Sequence, residues 1–177
     1  MKQVTGKYGI MGGILLILSA VIIYVLGRSS SWVLLTIIPL VTYIVLIYLG
    51  VLSVREVRSL TDNKIEFKMA FGTALSTLFI ALIISTFFSY LLYNVIDPEY
   101  ADKIKIETLT KTEQRLEKAG MSDEKIEETL EIIESKDFGF SAKKIVKSIG
   151  YGIIIFGIIS LIIAASVKKD LYIEENQ

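Results

Sequence analysis

Charged positions along this chain are bunched rather than spread. Four stretches contain no Asp, Glu, Lys or Arg at all: residues 8–27, 29–54, 69–96 and 148–167. A helix rises about 1.5 Å per residue, so roughly 20 apolar residues cross a hydrocarbon layer about 30 Å thick. All four stretches reach that length. A helix of a soluble core would be shorter and would keep a polar face. The pattern predicts an all-α integral membrane protein. Its four transmembrane helices, at about 8–26, 32–54, 69–96 and 148–167, form an antiparallel bundle within a single membrane domain, 1–177. Gly27–Ser31 is expected to turn the chain between the first two spans. Pro39 is expected to bend the second, because proline frees a carbonyl in a helix interior. Residues 55–68 then form a loop. The first stretch follows Lys2 and Lys7, as a signal peptide would. It is longer than an export signal's apolar core, and no small-residue cleavage site follows it. An uncleaved first helix is the expectation.

Between spans 3 and 4 the pattern inverts. Residues 97–147 carry 13 acidic and 10 basic side chains. Asp97-Pro98 reads as an N-cap followed by proline at the first helical position, with Glu99 at the positive helix end. The alternative is that span 3 simply runs on past 97. Ile106, Leu109 and Leu116 fall near one face, and Gly120 can end that helix in a left-handed conformation. Ser122 then caps a second helix. Asp123 and Glu124 lie in its first turn, Met121 can staple to Ile126, and Ile126, Leu130 and Ile133 fall on one face. Ser141, after Phe138 and Phe140, can cap the helix entering span 4. The segment is therefore expected to be an amphipathic helical hairpin.

Composition removes several kinds of chemistry. Lys plus Arg balance Asp plus Glu at 19 each, so nothing points to nucleic acid. The chain has neither cysteine nor histidine, which excludes disulfides, thiolates and imidazole ligands. No charge-free span carries an ionisable side chain of the kind that proton relays and ion-coupled carriers place at membrane depth. Serine has no histidine base, and no phosphate-binding loop or zinc-helix motif occurs. The chain is expected not to be an enzyme and to hold no catalytic residue, metal or cofactor. A minor alternative would draw catalysis from Asp97, Glu99 or other carboxylates of the hairpin.

Helices in lipid associate through small residues that let backbones approach. Gly13, Ala20 and Gly27 recur every seven residues in span 1, and Gly150, Gly157 and Ala164 do so in span 4 beside Ser160. Span 3 carries Thr73, Thr77, Ala81, Ser85 and Ser89 at steps of four. These are read as packing seams. Gly9 and Gly13 also make one glycine pair suited to a dimer, although the sequence does not define an oligomeric state. One polar constellation, Tyr90, Asn94 and Asp97, follows the i, i+4, i+7 spacing at the end of span 3. It reads either as an interfacial aromatic belt with a helix cap or as the lining of a crevice.

Short loops orient a membrane chain through their Lys and Arg. With both termini in the cytoplasm, that side holds Lys2, Lys7, Arg55, Arg58, Lys64, Lys68, Lys168 and Lys169, against Arg28 in the opposite short loop. Lys143, Lys144 and Lys147 argue the other way. The expectation is a multi-pass protein of a bacterial inner membrane with both termini cytoplasmic.

Four segments carry a family resemblance: "IEFKMAFGTAL" entering span 3, "NVIDPEY" leaving it, "EKAGMSDEKIEETLEIIES", and "GIISLIIAASVKKD" closing span 4. Together they resemble the domain of unknown function 4199 family, small integral membrane proteins of Bacteroidota. The resemblance implies four spans and a bacterial inner membrane, and brings no activity or functional residue with it. The function expected from the residues is an accessory or scaffold subunit. Membrane lipid surrounds it, and a protein partner docks through the 97–147 hairpin. The alternative is a facilitator or binding protein for a lipid or a neutral small molecule.

Overall fold

A computed structural model describes residues 1–26 and 32–174, the latter up to 167 with their side chains apart from Trp32. The described chain is helical with no strand: α1 (Lys2–Leu26), α2 (Trp32–Ser59), α3 (Phe67–Leu91), a π-helical turn (Leu92–Ile96), α4 (Tyr100–Lys118), α5 (Asp123–Glu134) and α6 (Ala142–Glu174). Helices α1, α2, α6 and α3 with its π turn are each long and apolar enough to cross a membrane. The turn expected at Gly27–Ser31, including Gly27 and Arg28, lies outside the described residues, as do the side chains of Lys168 and Lys169.

Three boundaries differ from the sequence expectation. A run without charge reports composition, whereas the backbone stays helical past the run's ends. Helix α2 continues to Ser59 and α3 starts at Phe67, which shortens the loop to 60–66. Helix α6 begins at Ala142, just after Ser141, whose carbonyl accepts the Ile145 N–H at 3.0 Å. Helix α2 also passes through Pro39 without ending there.

The chain forms two compact units. The first, residues 1–88 with 146–177, contains the membrane bundle. Val4 near the start of α1, Val54 and Val57 near the end of α2, Ala70 and Ala74 near the start of α3, and Ile163 and Val167 near the end of α6 share one buried cluster. That grouping requires successive spans along the chain to run antiparallel. Ile65, from the short loop, closes the same cluster. The loop is tied by the Thr61 hydroxyl on the Lys64 carbonyl at 2.7 Å and by Arg58 Nε donating to the Asn63 carbonyl at 3.1 Å. Asp62 and Asn63 carry it through positive φ, 50° and 57°, which short polar side chains tolerate best among non-glycine residues. A second buried cluster, Leu46, Leu78, Ala81 and Phe156, fills the next layer. Only 22–33% of the most apolar stretch of each span is buried in protein. Ile14, Leu18, Leu40, Ile44, Ile154 and Ile158 are among the large side chains left facing outward, which suits a lipid surround rather than water.

The second unit, residues 89–145, holds the π turn, α4 and α5. The two helices meet at Gly120, whose φ of +70° is the left-handed end expected there. Ser122 occupies the N-cap position with extended backbone, but its hydroxyl makes no capping bond. Ile126 is buried, Leu109, Leu116, Leu130 and Ile133 are half-buried, and Ile106 is 65% exposed. Ile106 therefore falls outside the covered face on which the sequence spacing had placed it.

Candidate functional site

The polar constellation at the end of span 3 is built on a widened helical turn. The Asp97 N–H reaches back five residues to the Leu92 carbonyl at 2.9 Å. Pro98 has no N–H to extend that ladder, and it pushes the residue before it toward extended backbone. Asp97 accordingly sits at φ −139°, ψ 81° and ends the turn. Its carbonyl accepts the Tyr100 N–H at 3.1 Å, and Glu99 is the residue preceding α4. The reading of Asp97-Pro98 as a helix start is thus corrected. Proline closes the incoming helix, and α4 begins two residues later.

The widened turn sets the side chains. The Asn94 amide donates to the Tyr90 carbonyl at 3.0 Å and to the Phe140 carbonyl at 3.2 Å. The Tyr93 ring stacks on Phe140, centroids 5.5 Å apart and planes at 15°, and tilts against Tyr100 at the same separation. The Asp97 carboxylate accepts from Lys103 Nζ at 3.2 Å, and the same ammonium pairs with Glu99 at 3.1 Å. Lys103 is held above its ordinary range, first by its hydrogen bond to Glu99 and then by that to Asp97. Of the three predicted residues, Tyr90 and Asn94 are joined through a backbone carbonyl, whereas Asp97 turns to Lys103. Tyr93 lies beside the predicted constellation, and Phe140 is the partner that sequence spacing missed. Tyr93, on the π turn, and Phe140, just before α6, are distant in sequence, so no local spacing pairs them.

The segment leading to α6 is clamped similarly. Asp137 accepts from the Gly139 N–H at 2.8 Å and from Lys144 Nζ at 3.0 Å. Lys144 also donates to the Gly139 carbonyl at 2.6 Å and to the Asp137 carbonyl. The Asp137 carboxyl is held below the usual carboxylate range, chiefly by Lys144 and then by the Gly139 N–H.

In the bundle, Glu56 of α2 accepts from Lys7 Nζ at 2.9 Å and from the Tyr8 hydroxyl at 2.7 Å, joining the beginning of α1 to the end of α2. The Lys7 ammonium also lies 4.8 Å from the Tyr8 ring centroid. Only one sign in the sequence could have pointed to this clasp: Glu56 is a single acid between Arg55 and Arg58. Deeper in, Ser53, Thr73, Thr77 and Ser160 are completely buried. The Thr77 hydroxyl lies 3.0 Å from Ser53 Oγ and 2.9 Å from the Thr73 carbonyl.

The close helix approaches fall on part of the predicted seams. Gly13 is buried, and a Cβ there would lie 2.7 Å from Ile84; at Gly9 it would lie 2.7 Å from Ile80 and 3.1 Å from the Thr77 carbonyl. Ala20 is half-buried. Thr77 and Ala81 are buried, Ser85 is half-buried, and Ala164 is buried. Gly150 and Gly157 have nothing within 4 Å of a Cβ; Gly152, outside the heptad, meets Leu82 at 2.5 Å. Of the seven-residue repeat only Ala164 is buried on the inner face of α6, which Phe156, Ser160 and Ile163 otherwise define.

Among the described residues no group of three or more His, Cys, Asp or Glu is placed to hold a metal ion. Four long apolar helices with outward-facing aliphatic side chains define a multi-pass helical membrane protein. Residues 7–169 match the family model described as Protein of unknown function (DUF4199), and the chain belongs to that family. No curated protein and no solved structure matches it.

Proposed function

We propose that this chain is a non-enzymatic accessory or scaffold subunit of a bacterial inner membrane, docking a protein partner through residues 97–147. One observation carries the reading. The paired helices α4 and α5 leave Ile106 and Ile132 65% and 55% exposed amid dense charge, outside any apolar span. Water disfavours such placement, and a partner that covers these side chains gains the burial. Recovery in mild detergent tests it. The full chain should bring down a stoichiometric protein partner, and Ile106→Ser with Ile132→Ser should lose that partner while the midpoint of unfolding stays put. A chain recovered alone, with nothing trapped by crosslinking in cells, would count against docking.

Orientation belongs to the same proposal: both termini cytoplasmic and 97–147 on the far side. The eight-to-one distribution of short-loop Lys and Arg supports it. Ser59 and Ser122 are both exposed, so each accepts a single cysteine in this cysteine-free chain. A membrane-impermeant maleimide on spheroplasts should label Ser122→Cys, and should label Ser59→Cys only after the membrane is broken. The reverse pattern would move the docking surface to the cytoplasm.

A further inference from the structure

We propose that the layer of hydroxyls buried between α2, α3 and α6 is a hydration site, holding water inside the membrane bundle. This inference is independent of the docking reading. Ser53, Thr73, Thr77 and Ser160 are each 0% exposed. Ser160 lies on α6 between Phe156, which shares a cluster with Leu78 and Ala81, and Ala164, which shares one with Ala70 and Ala74. Thr73 and Thr77 occupy the same interval of α3, and Thr77 reaches Ser53 on α2.

The hydroxyl protons do not close this set on itself. Ser53 donates to the Gly50 carbonyl at 2.8 Å. Thr77 has one proton for two acceptors, Ser53 Oγ and the Thr73 carbonyl. Thr73 Oγ1 and Ser160 Oγ have no protein partner. Elsewhere, the hydroxyls of Thr42, Thr108, Thr129 and Ser166 return to the carbonyl four residues back. The same bond is sterically available to any helical Ser or Thr, and Thr77 makes it, yet the equally enclosed Thr73 and Ser160 do not. Buried polar groups in native proteins find partners, and a buried water supplies them by bridging groups otherwise unsatisfied. Each hydroxyl can both donate and accept, and all four are neutral. That matches a small neutral guest with both capacities, and water is the smallest. Lipid offers no such partner at this depth.

Brief X-ray radiolysis of the full chain in detergent and ¹⁸O-labelled water tests this, since radicals formed at a bound water oxidise the side chains beside it. Phe156, 5% exposed and one turn from Ser160, should take up the heavy label in the wild type. The uptake should fall several-fold in Thr73→Val and in Ser160→Ala. Thr73→Val, which removes the hydroxyl with little change of shape, should also lower the thermal midpoint by stranding the water and Ser160. A wild-type Phe156 without label would overturn the proposal, as would a raised midpoint in Thr73→Val, which is the signature of an orphaned hydroxyl removed. If a variant does not fold, the wild-type labelling decides the matter.

Discussion

Single glycines separate the tight contacts of the bundle from its open faces. An added methyl at Gly9 would press on the Ile80 branch point and on the Thr77 backbone carbonyl. Neither can swing aside as a flexible side-chain tip would. Gly9→Ala is therefore expected to cost about 1–3 kcal/mol, the range for overpacking a filled interior. Gly150→Ala meets nothing within 4 Å and should leave stability unchanged or slightly raised, since alanine favours helix. Thermal midpoints of the two variants in one detergent check the contrast. A residue-scale titration is also expected at Asp137. Its carboxyl is lowered from the ordinary 3.8 by Lys144 and the Gly139 N–H. A depressed folded value means that the clamp contributes fully above the unfolded value and is lost as pH falls through the folded one. The carboxyl carbon resonance should titrate below the ordinary midpoint and return toward it in Lys144→Met. An ordinary midpoint in the unmutated chain would show that the clamp does not form.

At the scale of elements, the π turn and the Gly120 corner shape the second unit. Gly120 holds φ +70° with open space around it, so Gly120→Ala introduces backbone strain but no clash. The expected loss is about 1 kcal/mol from forcing a Cβ into the left-handed region. It should appear as faster amide exchange at the end of α4 and the start of α5. Phe140→Ala removes a stacked ring contributing about 0.5–1.5 kcal/mol beyond its buried area. Faster exchange should then follow in 137–141, with the bundle unaffected. Exchange rising equally along α1 and α2 would contradict the division into two units.

For the molecule as a whole, the governing feature is how little of each span is buried in protein. The outward aliphatic surface requires a lipid or detergent surround, so the chain should stay with the membrane pellet through alkaline carbonate washing. Detergent should release it. Recovery in the carbonate supernatant would be incompatible with four spans. Only part of its polar pairing depends on pH. Lys103 is raised, so its bonds to Glu99 and Asp97 contribute fully below the ordinary lysine value and are lost only as pH rises through the higher folded one. Carbonate washing thus approaches the titration of this link in the second unit, while the charge-free stretches of the spans hold no Asp, Glu, Lys or Arg to titrate.

The chain's charge pattern sets the number of spans, because length and lack of charge are local properties that the hydrocarbon layer reads directly. The corner at Gly120 was likewise legible in the chain, since backbone freedom there depends on one residue. Family membership was legible in motifs spread from Ile65 to Asp170. Packing set everything that rests on three-dimensional approach. It moved the close contact of α6 from Gly150 and Gly157 to Gly152, since a helix's phase against its neighbours is set by whole-bundle packing rather than by one repeat. It turned Asp97 from a helix start into a helix end, through a π-helical turn that no spacing rule anticipates, and it set Tyr93 against Phe140. It also enclosed Thr73 and Ser160 without protein partners. A sequence shows that a hydroxyl lies on a helix, but only neighbouring helices determine whether it is sealed from solvent.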